Sequence, residues 1–219
     1  MRYAELQVTS HFSFLRGASS PDELFATAAA FGIDALGIVD RNSLAGIVRA
    51  WEAARTTGIR LVVGCRLDLT DGMSLLVYPM DGPAYSRLTR LLSLGKSRAG
   101  KGKCILDLTD VEVYSEGLIA ILVPDEADDI YAGQLRKVAA IFGDRAYVSL
   151  CLRRRRNDRL RLHSLSTIAA RHKVKTVVTN DVLFHGPDRR QLRTSSLVSA
   201  TTPRSTTSVS TGRGMPTGS

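Results

Sequence analysis

Cysteine is scarce in this sequence, and other features that would indicate export, a membrane or a zinc site are absent. The three cysteines, Cys65, Cys104 and Cys151, lie far apart and form no Cys-x-x-Cys pair, so they are interpreted as buried free thiols and not as zinc or redox ligands. The chain has no run of about 18 apolar residues that could span a bilayer. Its start, MRYAELQVTS, lacks the basic and then apolar layout of a secretion signal. We therefore expect a cytoplasmic protein with no membrane partner.

Acidic residues are also few relative to basic ones. The 219-residue chain has 30 Lys and Arg against 21 Asp and Glu, a formal charge of +9. Such an excess favours nucleic acid or another polyanion as a neighbour, but it is weak evidence until the charges are located. The apolar content of 44% is ordinary for a protein with a buried core.

Apolar, strand-like segments alternate with helical ones through most of the chain, which predicts βα units around a parallel sheet or barrel. The first helix is predicted within SSPDELFATAAAFG, where Ser20 is the N-cap, Pro21 the first helical residue and Glu23 completes a capping box. Asp71-Gly72 between two apolar segments predicts a two-residue hairpin. Further strands are predicted from YAELQVT, DALGIV, IRLVVGC, LIAILV, RAYVSLCL and KTVVTND, and further helices from SLAGIVRAWEAARTTG, PAYSRLTRLLSLG, GQLRKVAAIFG and NDRLRLHSLSTIAARH.

The last 27 residues, 193–219, differ in character from the rest. They contain no acid, no aromatic residue and no apolar period, and about half are Ser or Thr, so they cannot bury a core and are predicted to be a disordered tail. Two origins are open for this tail: a shifted reading frame, or an ordinary disordered linker. Residues 1–192 are predicted to form the folded domain.

In a (β/α) barrel the chemistry lies where strands end and helices begin. Two carboxylates, Asp40 and Asp181, follow predicted strands, and so do Arg41 and Arg66. The ends of parallel strands lie together at one end of a barrel, which we call the rim. A metal cluster needs several His, Asp and Glu ligands, and the rim has too few. Two unit charges about 4 Å apart interact by roughly 4 kcal/mol at an effective dielectric of about 20, so the arginines would oppose a divalent cation. Pairing of these arginines with the two aspartates is the favoured interpretation, and a metal site is the alternative.

Five segments together resemble one protein family: YAELQVTSHFSFLRGAS, GIVDRNSLAGIVRA, VVGCRL, CLRRRRNDRLRLH and TVVTNDVLFHGP. The chain is similar, from Tyr3 to about Leu192, to the N-terminal PHP (polymerase and histidinol phosphatase) domain of bacterial C-family DNA polymerases, and most of all to the error-prone members. The resemblance implies a distorted seven-stranded (β/α) barrel, similar to a TIM barrel, whose active members hydrolyse phosphoesters with a cluster of metal ions.

The resemblance also implies where metal ligands would lie. The matching positions of this sequence are Gln7, Thr9, Asp40, Arg41, Arg66, Asp181 and Leu183, and a further ligand position falls in the run Arg153 to Arg156. Active members have histidine or glutamate where this chain has Gln7, Thr9, Arg41, Arg66 and Leu183. Only the two aspartates are kept, so the site is interpreted as vestigial, with no catalytic residue, no metal and no cofactor expected.

Two histidines could be proposed as substitute ligands. His11 follows the first strand and is interpreted as a surface residue, and His185, in the sequence FHGP, as part of a turn. Neither restores a cluster.

The run Arg153, Arg154, Arg155 and Arg156 has two interpretations. It is either a solvated basic turn or a set of guanidinium groups that contact the phosphates of a DNA backbone or another polymerase segment. The loop KSRAGKGK has the same two interpretations, because its glycines do not match the phosphate-binding pattern Gly-x-x-x-x-Gly-Lys-Ser/Thr.

Three functions are therefore open. The favoured one is a PHP domain fragment of an error-prone DNA polymerase, non-catalytic by itself, that serves as a structural brace for the remainder of the polymerase catalytic core. A polymerase palm would follow such a domain, and this sequence contains none. The alternatives are a metal-dependent phosphoesterase and a free-standing basic module that binds nucleic acid.

Overall fold

The computed structural model of the protein describes residues 3–189, so the predicted tail, residues 193–219, lies outside the described residues. Within that range the strands are β1 Ala4–Val8, β2 Ala35–Ile38, β3 Arg60–Val63, β4 Cys65–Asp68, β5 Ser74–Pro79, β6 Leu118–Leu122, β7 Ala146–Cys151 and β8 Lys175–Thr179. The α-helices are α1 Pro21–Ala30, α2 Ile47–Thr57, α3 Gly82–Ser97, α4 Leu108–Val113, α5 Asp129–Phe142 and α6 Asp158–Arg171. Short 3-10 turns cover Gly143–Arg145 and Pro187–Arg189.

The strands form a barrel in chain order. Strands β1, β2 and β3 are parallel, β4 and β6 pair antiparallel with β5, and β6, β7 and β8 are parallel. Single bridges between Val8 and Val182 and between Arg41 and Arg66 join the two sheets. The predicted (β/α) barrel is therefore confirmed.

Gly64 alone separates β3 from β4, and its surroundings leave no room for a side chain. A Cβ atom at this position would lie 2.7 Å from the ring of Tyr78 and 2.8 Å from Val39, well inside van der Waals contact. The tyrosine hydroxyl in turn donates to the carbonyl oxygen of Leu6 on β1. Counted as one strand broken at Gly64, β3 and β4 bring the described barrel to the predicted seven strands.

Local signals in the sequence place several element ends. Ser20 accepts from the backbone N–H of Glu23 at 3.2 Å, and the Glu23 carboxylate accepts from the Ser20 N–H at 2.8 Å, which confirms the capping box of α1. Gly58 ends α2 with φ 75°, a conformation that glycine adopts without penalty. A hairpin at Asp71-Gly72 joins β4 to β5 as predicted, but its loop is not two residues long. The N–H of Leu69 donates to the carbonyl oxygen of Met73 at 2.9 Å, which leaves Thr70, Asp71 and Gly72 in the loop.

Three apolar clusters hold these elements together. One lies inside the barrel and includes Leu76, Tyr78 and Ile121. A second joins β1 and β2 to α1 and α2, and the largest joins the five-stranded sheet to α3, α5 and α6. Because apolar residues pack on both sides of the strands, the rim is formed by the strand ends and by the loops that follow them.

The three cysteines are free, as predicted. Only Cys65 is buried, whereas Cys104 and Cys151 are half-buried, so the prediction of burial holds for the first alone. Within residues 3–189, no helix has the length and apolar character needed to cross a membrane.

Candidate functional site

Asp40 follows β2 and is held by serines. The residue is 1% exposed. Its Oδ1 accepts from the N–H of Ser10 at 2.9 Å and from the hydroxyl of Ser13 at 2.7 Å, and Oδ2 accepts from the hydroxyl of Ser10 at 2.7 Å. Burial raises the pKa of Asp40, and the bonds from Ser13 and Ser10 partly oppose this. The expected pairing of Asp40 with an arginine is wrong among the described residues, because the loop after β1 supplies hydroxyl and amide donors instead.

Arg41 and Arg66 share the carboxylate of Asp68, which was not among the predicted site residues. Arg41 donates through Nη1 to Oδ2 of Asp68 at 2.6 Å, and Nε of Arg66 lies 3.3 Å from Oδ1 of the same residue. Nε of Arg66 also donates to the hydroxyl of Ser74 at 2.7 Å. Burial and the nearby charge of Arg41 lower the pKa of Arg66. A single acid on β4 thus compensates two arginines.

Asp181 completes the contacts of Arg66 on the other side. Nη1 of Arg66 lies 3.6 Å from Oδ1 of Asp181, which agrees with the predicted pairing of these two residues. The same oxygen accepts from Nε2 of Gln7 at 2.7 Å, and Oε1 of Gln7 accepts from the hydroxyl of Thr179 at 2.8 Å. The carboxylate of Asp181 therefore contacts a guanidinium group and an amide group.

Thr9 and Leu183 lie at the closing edge of the barrel. Thr9 is buried, and its N–H donates to the carbonyl oxygen of Val182 at 2.9 Å. The carbonyl oxygen of Leu183 accepts from the N–H of Ala18 at 2.9 Å. The structure uses the backbone of both residues to close the barrel, and an aliphatic side chain such as that of Leu183 cannot ligate a metal.

These residues do not fit a metal cluster. Within residues 3–189, no group of three or more His, Cys, Asp and Glu side chains is placed to hold a metal ion. The lone pairs of Asp40 already accept three hydrogen bonds, and the cation beside Asp181 is the guanidinium of Arg66. A divalent ion at this rim would have to displace serine donors and lie beside a fixed positive charge.

The two histidines proposed as substitutes both contact Ser19. Nδ1 of His11 lies 3.3 Å from the carbonyl oxygen of Ser19, and the ring stacks on Phe12 at 4.6 Å. Nδ1 of His185 lies 2.8 Å from the Ser19 hydroxyl, which also accepts from the His185 N–H at 3.0 Å. Both contacts organise the loops around α1.

The arginine run follows β7, and half of it is paired. Arg153 contacts the carboxylate of Asp125, and Arg155 lies 3.1 Å from that of Glu126. Arg154 and Arg156 are exposed and have no carboxylate within 4.0 Å among the described residues. Contact of the run with DNA stays a prediction, which now rests mainly on the two unpaired members.

A family model described as the PHP domain matches residues 5–169. The chain belongs to this family. The chain is 72% identical over 193 residues to error-prone DNA polymerase 2 of Rhizobium meliloti and 73% identical over 193 residues to an error-prone DNA polymerase of Allorhizobium ampelinum. Each match covers 88% of this chain but only 18% of the relative. The resemblance to error-prone polymerases inferred from the sequence is confirmed.

Solved structures agree on the fold. A proposed metal-dependent phosphoesterase of Bifidobacterium adolescentis aligns with a TM-score of 0.63 at 14% identity, over 84% of this chain and 88% of that one. An amidohydrolase of Chromobacterium violaceum aligns with a TM-score of 0.63 at 18% identity, over 84% and 89%. At such identities the likeness supports the barrel fold and nothing about activity.

Sequence reasoning missed the partners at this rim, which are Ser10, Ser13, Asp68, Ser74 and Thr179. Asp68 had a usable signal, since it lies two residues after Arg66 and side chains two apart share one face of a strand. The serines had none, because Ser and Thr are common in loops and only the closed barrel brings them to the carboxylates.

Proposed function

We propose that this PHP domain is a non-catalytic, structural part of an error-prone DNA polymerase that acts in DNA replication and in translesion synthesis after DNA damage. The observation that carries the proposal is the position of Arg66, whose guanidinium lies between Asp68 and Asp181 at a rim position where active relatives of the family are expected to have a glutamate ligand. A cytoplasmic location follows from this function.

The contacts of Arg66 explain how a rim without metal ions would stay ordered. One guanidinium connects β4 and β5, through Asp68 and Ser74, to Asp181 after β8. Gln7 on β1 continues the chain of hydrogen bonds to Thr179. A hydrogen bond to a charged group contributes about 1.5–3 kcal/mol, and solvent reduces this contribution for the partly exposed Asp68 and Asp181. The contact of Arg66 with Asp181, at 3.6 Å, is an ion pair and not a hydrogen bond. An organic cation can therefore supply part of the cross-linking that metal–ligand bonds would otherwise supply.

The remainder of the polymerase is the proposed partner. The chain spans 18% of the length of its relatives, so a brace of this size would pack against a much larger catalytic core. Several large apolar side chains are exposed, among them Phe31, Ile130, Leu152 and Leu160 at 62–75% of their full area.

A metal-dependent phosphoesterase is the alternative with least support. Hydrolysis assisted by metal ions requires an open coordination position on a bound ion, and the described residues offer no group of three ligands.

Elemental analysis and a phosphatase assay test the proposal. The purified chain, incubated with Zn²⁺ or Mn²⁺ and then dialysed, should retain well under one equivalent of metal, and it should not hydrolyse p-nitrophenyl phosphate when these ions are present. Stoichiometric metal together with turnover that Asp40→Ala abolishes would overturn the proposal. Asp22→Ala is the matched control, because Asp22 is an exposed acid on α1.

A further inference from the structure

A groove of about 700 Å³ opens beside the rim. It lies between the loop after β1, the loop after β2 and the end of α3 with the glycine-rich segment that follows. We call it the basic groove and define it by six of its lining residues: Phe12, Phe14, Arg16, Lys96, Lys101 and Lys103. None of these residues takes part in the rim network of Arg66.

The cations of the basic groove are not neutralised by neighbours. Arg16, Lys96, Lys101 and Lys103 are exposed, and none has a carboxylate within 4.0 Å in the part of the chain that the structure describes. Among the described lining residues the single acid is Asp68, and Arg41 already engages it at 2.6 Å. The groove therefore presents about four uncompensated positive charges to a ligand.

This charge is local and does not simply reflect the basic composition of the chain. A second rim groove, of about 430 Å³, is lined by Asp71, Asp125, Glu126 and Asp128. Its two arginines, Arg66 and Arg153, are both paired with carboxylates. Among the described residues the two grooves therefore differ in charge: the lining cations of the basic groove other than Arg41 lack acidic partners, whereas the lining arginines of the second groove are paired.

Two aromatic rings lie among the cations. Phe14 is 83% exposed and Phe12 36%, and the His11 ring stacks on Phe12 at 4.6 Å. An exposed phenylalanine in a basic groove offers a flat apolar face beside phosphate-binding groups. Positive grooves that carry aromatic side chains are the usual arrangement for single-stranded nucleic acid, because every unpaired base has a face that can stack.

We propose that the basic groove binds single-stranded nucleic acid, with lysine ammonium groups on the phosphates and Phe14 stacked on a base. The glycines around Lys101 suit this role. Gly102 has φ 79°, a conformation that glycine adopts without penalty, so the segment from Gly100 to Lys103 can adapt to the irregular backbone of a single strand. Duplex DNA presents the same phosphates but no free base face, so it would use the lysines and not Phe14. The basic groove would bind such a strand whether or not the chain acts within a polymerase.

Fluorescence anisotropy with labelled oligo(dT) of about 16 nucleotides tests the proposal on the 219-residue chain. Replacement of Lys96, Lys101 and Lys103 by Ala should weaken binding and reduce the slope of log affinity against log salt by roughly 2, which is about 0.7 for each single-strand phosphate that is no longer neutralised. The matched control replaces Arg136, Lys137 and Arg171, which are exposed elsewhere, and should change neither value substantially. Circular dichroism should show all variants folded.

Phe14 separates a single-strand site from a general polyanion site. Phe14→Ala should weaken oligo(dT) binding by roughly 5- to 150-fold, the usual effect of losing one stacking partner, and leave binding to duplex DNA unchanged. Phe14→Tyr keeps the ring and should bind oligo(dT) like the unchanged chain. The proposal is overturned if the lysine variant binds normally, if the control variant loses as much affinity, or if Phe14→Ala has no effect on oligo(dT).

Discussion

Nη1 of Arg66 lies 3.6 Å from Oδ1 of Asp181, across the mouth of the barrel. Asp181 adopts a positive φ of 49°, a conformation that aspartate tolerates better than most residues, and its carboxylate is fixed there by Arg66 and Gln7. The pair joins β4 to the segment after β8, where the barrel closes. Substitution of Arg66 therefore tests the structural role of this rim directly.

Arg66→Met should destabilise the fold. The change keeps most of the side-chain volume but leaves Asp68 and Asp181 without their shared cation. Because these acids are 31% and 37% exposed, the loss should be moderate, about 1–3 kcal/mol in the free energy of unfolding, measured by urea denaturation. Arg49→Met is the control, since its pair with Glu52 is exposed and should contribute less than about 0.5 kcal/mol. Equal effects in the two variants would contradict a cross-link through Arg66.

Asp40→Asn should change how stability depends on pH. Burial raises the pKa of Asp40 in the folded chain, so the folded state binds more protons than the unfolded state above an ordinary aspartate pKa of about 3.9. The stability contributed by Asp40 should therefore fall as the pH rises from there through the raised pKa. Over that range the unchanged chain should lose stability relative to Asp40→Asn, measured as the difference between their free energies of unfolding. A difference that is flat with pH would contradict the raised pKa.

Gly46→Ala should disturb the pocket around Asp40. A Cβ atom at this position would lie 2.8 Å from Oδ2 of Asp40 and 2.9 Å from the Phe12 ring, so one of these groups must move, at about 1–3 kcal/mol. Gly133→Ala is the matched control within α5, where no atom beyond the adjoining helix backbone lies within 4 Å of the new methyl group and helix propensity predicts a gain of about 0.5–1 kcal/mol. Thermal unfolding of both variants gives the comparison; a stabilised Gly46→Ala would show that the pocket is not tightly packed.

The arginine run should contribute to duplex binding mainly through its unpaired members. Replacement of Arg153, Arg154, Arg155 and Arg156 by Ala should weaken DNA binding and flatten its salt slope by up to about 0.9 for each phosphate that the variant no longer neutralises. Because Arg153 and Arg155 already contact acids, the double variant at positions 154 and 156 should reproduce most of that change. If affinity and slope are unaffected in both variants, the run is a solvated turn.

The sequence alone determined those features of the fold that depend on neighbours along the chain. The capping box of Ser20 and Glu23, the end of α2 at Gly58 and the hairpin at Asp71-Gly72 each follow from backbone preferences within a few residues. One local signal was missed: α4 begins after Asp107, whose N–H donates to the carboxylate of Asp110 at 3.0 Å. That helix is six residues long, too short for an apolar period to be recognised.

Only the tertiary structure decided the partners at the rim. Gln7 and Asp181 are 174 residues apart, and Asp40 meets Ser10 and Ser13 from 30 and 27 residues away. The residue types showed that Asp40 and Asp181 are charged and need compensation, and the family pattern showed which ligands are missing. Whether a serine or an arginine provides that compensation depends on which loop the closed barrel brings within about 3 Å of each carboxylate. Strand register and helix packing set that distance, and it cannot be deduced from the spacing of residues along the sequence.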